Sequence, residues 1–219
     1  MAFGSAQTRD EDARLVRGLG CYAGDRVEKG ALWMHVVRAD MAAGQIIAMD
    51  RAAAQDMPGV HLVLTGQDDT VRTMKDFTVR FTPPGTEPRL HPVRPLAVDR
   101  VRYMGEPVAI IVADTKARAL DAAEVFAVDI EGEDAVTDAR AADGPDVPQV
   151  WPDGNRVFTQ ERGDRVAYEA ALAKAAHTVT ARIEISCVTA VTLEPRNALA
   201  VPHGDRTTLY TGTQAPHRV

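Results

Sequence analysis

The side chains best suited to chemistry lie in three short motifs of this 219-residue chain, around Glu106, Glu194 and Gln214. The carboxamide of Gln214 donates and accepts hydrogen bonds without titrating. A neutral donor of this kind can stabilise an oxo group on a metal without competing as a ligand. Gln214 also lies between Thr213 and the dipeptide at 215–216, a pattern typical of a surface turn, and the residues alone favour the turn.

The two glutamates carry different signals. Glu194 and Arg196 flank a proline, so their opposite charges could hold each other and orient a loop. Glu106 could act as a general base, but it stands between Gly105 and Pro107, directly before a long apolar run. A glycine, an acidic residue and a proline in this order are turn chemistry that introduces a strand. We therefore predict a structural role for Glu106.

Other chemical motifs find little support. The segment from Gly18 to Ala23 fits the dinucleotide-binding spacing G-x-G-x-x-A, but charged residues precede it and no helix pattern follows, so it predicts a turn. The six histidines lack the spacing of a zinc site, and no protein ligand to a metal is predicted. Two cysteines, Cys21 and Cys187, cannot supply the four thiolates of an iron–sulfur cluster.

Composition excludes further classes of protein. The formal net charge is −6 at pH 7 and the basic residues are scattered, which argues against a nucleic-acid binder or a polybasic membrane anchor. No apolar run approaches the length of a membrane span, and the first residues lack the apolar core of a signal peptide. We expect a soluble cytoplasmic protein.

The elements that must position these motifs follow from apolar periodicity. Strands are predicted at 31–37, 45–49, 60–65, 107–113 and 125–130, and short helices at 51–56 and from a cap at Asp114 or Thr115 to about 123. The continuous apolar run at 107–113 is typical of a strand covered on both faces. Strand, helix and strand joined by short connections indicate a layered α/β domain.

The last third of the chain has a weaker pattern. Residues 135–155 are rich in Asp, Gly and Pro and are predicted to be a linker. Asp164 is expected to cap a helix, and strands are predicted at 177–186, 197–201 and 207–211. Three strands and one helix make a thin core, so this segment is interpreted as the opening of a domain.

Four motifs, taken in order, resemble a known family. They are Arg-Asp-Glu-Asp-Ala-Arg-Leu at 9–15, Val-Arg-Tyr-Met-Gly-Glu-Pro-Val-Ala at 101–109, Leu-Glu-Pro-Arg at 193–196 and Thr-Gln at 213–214. The series resembles the N-terminal portion of the molybdenum-cofactor-binding large subunit of the xanthine dehydrogenase, aldehyde oxidase and CO dehydrogenase family. The resemblance implies an α/β (α+β) fold, with an α/β hammerhead domain followed by the beginning of a molybdenum-cofactor-binding domain.

The implied domain division is a polar arm at 1–14, the hammerhead domain at 15–134, a linker at 135–155 and the first segment of the molybdopterin-binding domain at 156–219. In that family, the glutamine of the Thr-Gln motif lies beside the apical oxygen of the molybdenum. The resemblance therefore assigns Gln214 a catalytic role and makes Thr213 and Gln214 cofactor-binding residues. It also makes Ala190 and Glu194 substrate-pocket residues.

The activity implied is oxidation of an aldehyde or an N-heterocycle with water-derived oxygen, on a small-molecule substrate. The cofactor implied is molybdenum-molybdopterin in the cytosine dinucleotide form, held through its pterin and shared with another chain. A [2Fe–2S] subunit and an FAD subunit are the further partners implied.

The chain departs from the family pattern in two ways. Residues 190–193 read Ala-Val-Thr-Leu where the family has His-Ala-Pro and a hydrophobic residue, which puts any substrate assignment in doubt. The family's Gly-Gly-Phe-Gly loop and its distant glutamate base are not found in the sequence. We therefore expect a subunit that is inactive alone and is completed by a second large-subunit polypeptide. The alternative is a non-catalytic hammerhead interaction module or a truncated fragment.

Overall fold

The computed structural model describes residue 4 and residues 9–77, 82–186, 188–215 and 217. Cys187 and the proline of the Thr-Gln motif lie outside the described residues. Contacts divide the chain into two compact units, one of Leu32–Thr178 and one of Met1–Ala31 with Val179–Val219.

The first unit contains two three-stranded antiparallel sheets. Its strands are β1 (Trp33–Arg38), β2 (Gly44–Asp50), β3 (Val60–Thr65), β4 (Arg100–Val101), β5 (Pro107–Ala113) and β6 (Ala127–Gly132). One sheet has the order β1-β5-β3 and the other β4-β2-β6. The helices of this unit, numbered from α2, are α2 (Ala52–Gln55), α3 (Asp69–Arg72), α4 (Lys116–Val125) and α5 (Arg165–Lys174), while α1 (Asp12–Leu15) belongs to the second unit.

Strand β5 is the centre of the core. Val108 and Ala109 point to opposite faces, and both are fully buried, so the prediction of a strand covered on both faces is confirmed. Ile111 is paired with His35 of β1 on one side and with Val63 of β3 on the other. Helix α4 packs on this sheet through its buried alanines, whose small side chains allow close approach of helix and strand.

The predicted strand–helix–strand segment is present, but its two strands do not share a sheet. The Thr115 hydroxyl caps α4 by accepting from the backbone N–H of Arg118 at 3.2 Å. After α4 the chain enters β6, which pairs with β2 in the second sheet. Local sequence therefore specified the elements, and their distribution between two sheets required long-range pairing.

The second unit is built around a hairpin of β7 (Ala198–His203) and β8 (Arg206–Thr211), joined by a turn at Gly204 and Asp205. The predicted turn near Ala23 is confirmed as a single 3-10 turn at Ala23–Asp25. The strand predicted at 177–186 is wrong, since these residues form no strand. A strand requires hydrogen bonds to a neighbouring strand, and none of the described residues supplies one here.

Among the described residues, no helix is both long enough and apolar enough to cross a membrane. The domain boundaries inferred from the sequence stay a prediction. Within the predicted linker, the Asn155 side chain accepts from the N–H of Val150 and donates to the carbonyl oxygens of Ala142 and Pro148, at 2.8 to 2.9 Å. Trp151 stacks on His91 with ring centroids 4.2 Å apart.

Candidate functional site

The predicted site residues of the second unit lie on the loop before β7 and on the segment that leaves β8. The pairing of Ala198 with Thr211 brings the end of that loop next to the end of β8. The Thr211 hydroxyl reinforces this junction by donating to the carbonyl oxygen of Asn197 at 3.1 Å. The hairpin therefore brings Glu194 and Gln214, which are 20 positions apart in sequence, into one neighbourhood.

Glu194 is half-buried at this junction. Its Oε1 accepts a hydrogen bond from the backbone N–H of Ala23 at 3.0 Å. Its Oε2 lies 3.3 Å from the position that a Cβ atom on Gly212 would occupy. The loop is also closed by the Thr192 hydroxyl, which donates to the Glu194 carbonyl oxygen at 2.7 Å. The carboxylate thus touches both the 3-10 turn and the exit of β8.

The 3-10 turn is seated tightly against the same loop. A Cβ atom on Gly24 would lie 2.6 Å from the side-chain nitrogen of Asn197, a distance that no ordinary contact allows. The turn is closed by Asp25, whose Oδ2 accepts from the N–H of Tyr22 at 2.8 Å. Directly after it, the Arg26 guanidinium lies 4.4 Å from the ring centroid of Tyr210 in β8, within the range of a cation–π interaction.

Thr213 and Gln214 follow β8 directly and are exposed. The Thr213 hydroxyl accepts from the N–H of Ala215 at 3.1 Å, which fixes a small turn around Gln214. Gln214 is exposed in this turn, so a bound group can reach its carboxamide. Ala190 is exposed as well, on the irregular loop before Glu194.

A cofactor with oxo groups and an anionic pterin requires neutral or positive donors rather than carboxylates at close range. The donor set of Thr213 and Gln214, a hydroxyl and a carboxamide, meets that requirement. The carboxylate of Glu194 also lies near this exit, and one of its oxygens accepts a hydrogen bond from the Ala23 N–H. The residues present therefore fit the predicted group.

Glu106 is arranged as a structural residue. It is buried, and its Oε2 accepts from the backbone N–H of Arg102 at 2.5 Å. Its own backbone accepts from the N–H of Ala39 at 2.9 Å and thus joins the turn to the end of β1. The pKa of Tyr103 is raised above its ordinary value, mainly because the side chain is partly buried and to a lesser extent because the negative charge of Glu106 lies nearby. The turn before β5 is held by these contacts, as its sequence predicts.

A cavity of about 540 Å³ beside Glu106 had no signal in the sequence. Its lining includes the guanidinium groups of Arg72, Arg94 and Arg102 together with the ring of Trp151. Two of these cations are engaged, because Arg94 pairs with Asp76 at 3.1 Å and Arg102 stacks over Trp151 at 4.4 Å. The cavity arises where residues about 50 positions apart in sequence meet, so no local motif could have indicated it.

The sequence reasoning also missed the contact between the 3-10 turn and Glu194. For the segment from Gly18 to Ala23 the sequence predicts a turn in place of a nucleotide-binding loop. The available signal was the pair Tyr22 and Asp25, because an aspartate three residues after an extended residue can close a turn. That signal identifies a turn but gives no partner for it.

Comparison with known proteins places both parts of the chain. Residues 17–134 match the family model described as "Aldehyde oxidase and xanthine dehydrogenase, a/b hammerhead domain". Residues 150–219 match the model described as "Molybdopterin cofactor-binding domain".

Individual relatives agree with these matches. The nicotine 6-hydroxylase large subunit of Paenarthrobacter nicotinovorans is 36% identical over 99% of this chain and 26% of its own length. The carbon monoxide dehydrogenase large chain of Hydrogenophaga pseudoflava is 33% identical over 95% of this chain and 27% of its own. The chain therefore spans about a quarter of the length of these curated relatives.

Solved structures give the same result. The crystal structure of quinoline 2-oxidoreductase from Pseudomonas putida 86 superposes with a TM-score of 0.83, at 31% identity, over 96% of this chain and 27% of that one. The hammerhead fold and the start of a cofactor-binding domain expected from the sequence are thus confirmed. This chain belongs to the aldehyde oxidase and xanthine dehydrogenase family, and it corresponds to part of the molybdenum-binding large subunit.

Proposed function

We propose that this chain forms part of the large subunit of a molybdenum hydroxylase, which oxidises an aldehyde or an N-heterocycle with oxygen derived from water. The observation that carries the proposal is the ordered pair of domain matches, hammerhead and then molybdopterin-binding, over nearly the whole chain. The placement of Gln214 in an accessible turn directly after β8 supports it.

The chain's own residues would contribute binding and orientation. Thr213 and Gln214 would contact the molybdenum-molybdopterin group, in its cytosine dinucleotide form, which would be held mainly through its pterin by the rest of the large subunit. The Gln214 amide would be the donor directed at the metal end of that group. When bound, that group supplies the two-electron oxidation of the substrate carbon. Ala190 and Glu194 would line the substrate side, where Ala190 leaves room that a larger side chain would fill.

The substrate class is narrowed by the relatives' names. Nicotine 6-hydroxylase, at 36% identity, and quinoline 2-oxidoreductase, with a TM-score of 0.83, are both named for N-heterocycles. Aldehyde oxidoreductases are less similar, at 30% identity or less and TM-scores of 0.59 and 0.61. We therefore favour an N-heterocycle over an aldehyde. Turnover of a pyridine or quinoline ring, compared with an aromatic aldehyde of similar size, would separate the two.

The remainder of the large subunit, of which this chain matches about a quarter in its relatives, would complete the site. A [2Fe–2S] subunit and an FAD subunit would carry the electrons away, in a cytoplasmic complex. Support comes from the apolar side chains of residues 179–193, which are between 82% and 94% exposed at Val179, Ile183, Ile185, Val188, Val191 and Leu193. Such a run is typical of a surface that another chain covers.

The test is isolation of the native assembly through an affinity tag on this chain, followed by metal analysis, an absorption spectrum and mass determination of every polypeptide. We expect molybdenum, iron and flavin together with at least three further chains. A metal-free monomer or homo-oligomer would instead support the second candidate, a non-catalytic hammerhead interaction module. That candidate is favoured by the hammerhead unit's own well-buried core.

A further inference from the structure

The carboxylate of Glu194 connects the turn at Tyr22–Asp25 to the end of β8, next to Gln214. Ala23 donates its N–H to one oxygen of Glu194 at 3.0 Å, and the other oxygen lies against Gly212, two residues before Gln214. A Cβ atom at residue 212 would be 3.3 Å from that oxygen, so the absence of a side chain allows the contact. Glu194 thus lies between the turn and the end of β8.

Two further contacts hold the turn in this position. Gly24 packs so closely on Asn197 that a methyl group there would displace one of them. Arg26 lies over Tyr210, which belongs to β8 itself. The turn therefore contacts the loop before β7 and the strand that leads to Gln214 at separate points.

We propose that the Tyr22–Asp25 turn is a brace that positions Gln214, and that Glu194 is the positioning residue through which it acts. The proposal rests on the proposed function and refines one part of it. The side chain of Glu194, which lies on the substrate side in the proposed function, binds the Ala23 N–H and so positions Gln214. Gln214 lies beyond the last hydrogen-bonded residue of β8, so the strand alone does not fix its backbone. A misplacement of about 1 Å at a reacting group can lower the rate about a hundredfold.

The first experiment measures amide hydrogen exchange in the purified full chain, with whatever chains co-purify. Glu194→Ala removes the acceptor of the Ala23 N–H, and we expect exchange to become about tenfold faster in two peptides, 20–26 and 209–215. Glu194→Gln retains an acceptor oxygen and should restore most of the protection. Gly24→Ala disturbs the brace from its other side and should give the same pattern as Glu194→Ala.

The control is Asp205→Ala, which removes a carboxylate from the β7–β8 turn of the same unit. It should leave exchange in both peptides unchanged. If Glu194→Ala leaves peptide 209–215 as protected as in the wild type, the brace does not exist. This readout requires no cofactor, so it distinguishes failure of the brace from failure of the proposed function.

The second experiment is a double-mutant cycle on turnover in the loaded complex. If Glu194 acts through Gln214, Glu194→Ala should lower kcat about tenfold to a hundredfold in the wild type, but by less than about threefold in the Gln214→Ala background. Additive losses would show that Glu194 acts on the substrate directly, and would overturn the positioning role. No loss from Gln214→Ala alone would refute the proposed site and leave the exchange result standing.

Discussion

The two units of this chain differ in the burial of their apolar segments. The buried apolar side chains of the described residues all lie between Ala39 and Ile130, in the unit with the two sheets. The segment from Val179 to Leu193 is equally apolar and alternates with a period of two in its first half, yet its large side chains are almost fully exposed. Apolar patterning therefore produces a core only where the chain also supplies a pairing partner.

The residues that stabilise the fold and the residues of the candidate site lie in different units. The unit with the sheets holds the packed core and a structural glutamate, Glu106. The other unit holds Glu194, Thr213 and Gln214 on a hairpin and two loops. Four measurements test this difference between the units.

Limited trypsin digestion of the chain alone should show the largest difference. Cleavage after Arg182, in the exposed segment, should be at least about a thousandfold faster than cleavage after Arg118 in α4, because α4 opens only when its unit unfolds. Peptide mapping by mass spectrometry over a time course would give both rates. Equal resistance at the two sites would remove the contrast between the units.

Truncation of buried and exposed isoleucines should differ by several kcal/mol. Ile111 is fully buried at the centre of β5, so Ile111→Ala should lower the free energy of unfolding by about 2–5 kcal/mol. Ile47→Ala, the matched control at an exposed position of the same unit, should change it by less than about 0.5 kcal/mol. Urea unfolding followed by tryptophan fluorescence reports on the first unit, where Trp33 and Trp151 both lie. Equal losses would contradict the assignment of the core.

Substitution of Gln214 should lower turnover without a loss of assembly. Gln214→Ala should leave molybdenum content and assembly nearly unchanged while turnover falls about 10²–10³-fold, since it removes a preorganised donor. Gln214→Glu should be worse, because it places a negative charge near an anionic oxygen.

Glu106→Gln is the control for that pair of variants. Glutamine keeps an acceptor for the Arg102 N–H, so turnover should stay within about twofold, whereas the free energy of unfolding should fall by about 1 kcal/mol. Full activity of Gln214→Ala, or loss of activity in Glu106→Gln, would place the site elsewhere.

The partly buried carboxylate of Asp68 should give the smallest effect. Burial by itself would raise the pKa of Asp68, but hydrogen bonds from the Arg51 side chain and from Thr65 outweigh it, and the pKa lies below 3.8. A lowered pKa stabilises the fold above pH 3.8, and this contribution is lost as the pH falls through the folded-state pKa.

Asp68→Asn should therefore cost about 1–2 kcal/mol at pH 7 and progressively less below pH 3.8. Urea unfolding at pH 7 and at pH 3 would measure the two differences. Asp121→Asn, at an exposed position of α4, is the control and should change the free energy by less than about 0.5 kcal/mol. A constant cost across this range would show that ionisation of Asp68 does not contribute.

Much of the first unit could be predicted from the sequence. The run at 107–113 predicts β5 because uninterrupted apolar residues suit a strand covered on both faces. Side-chain oxygens predict a cap at Asp114 or Thr115 for α4 and at Asp164 for α5, and the structure has Thr115 and Asp164. These features depend on residues within a few positions of one another. The Thr-Gln and Leu-Glu-Pro-Arg motifs indicated the family because their order along the chain is preserved.

Tertiary structure decided what local patterns could not. Strand β6 joins β2 rather than the sheet of β5, the strand expected at 177–186 has no neighbour, and Glu194 meets Ala23 across almost the whole chain. Each outcome depends on a contact between distant residues, whose free energy includes the cost of closing a long loop and cannot be read from a short window. The sequence by itself thus determined the elements and the family, and long-range contacts determined which elements form a core and what holds Glu194 beside the end of β8.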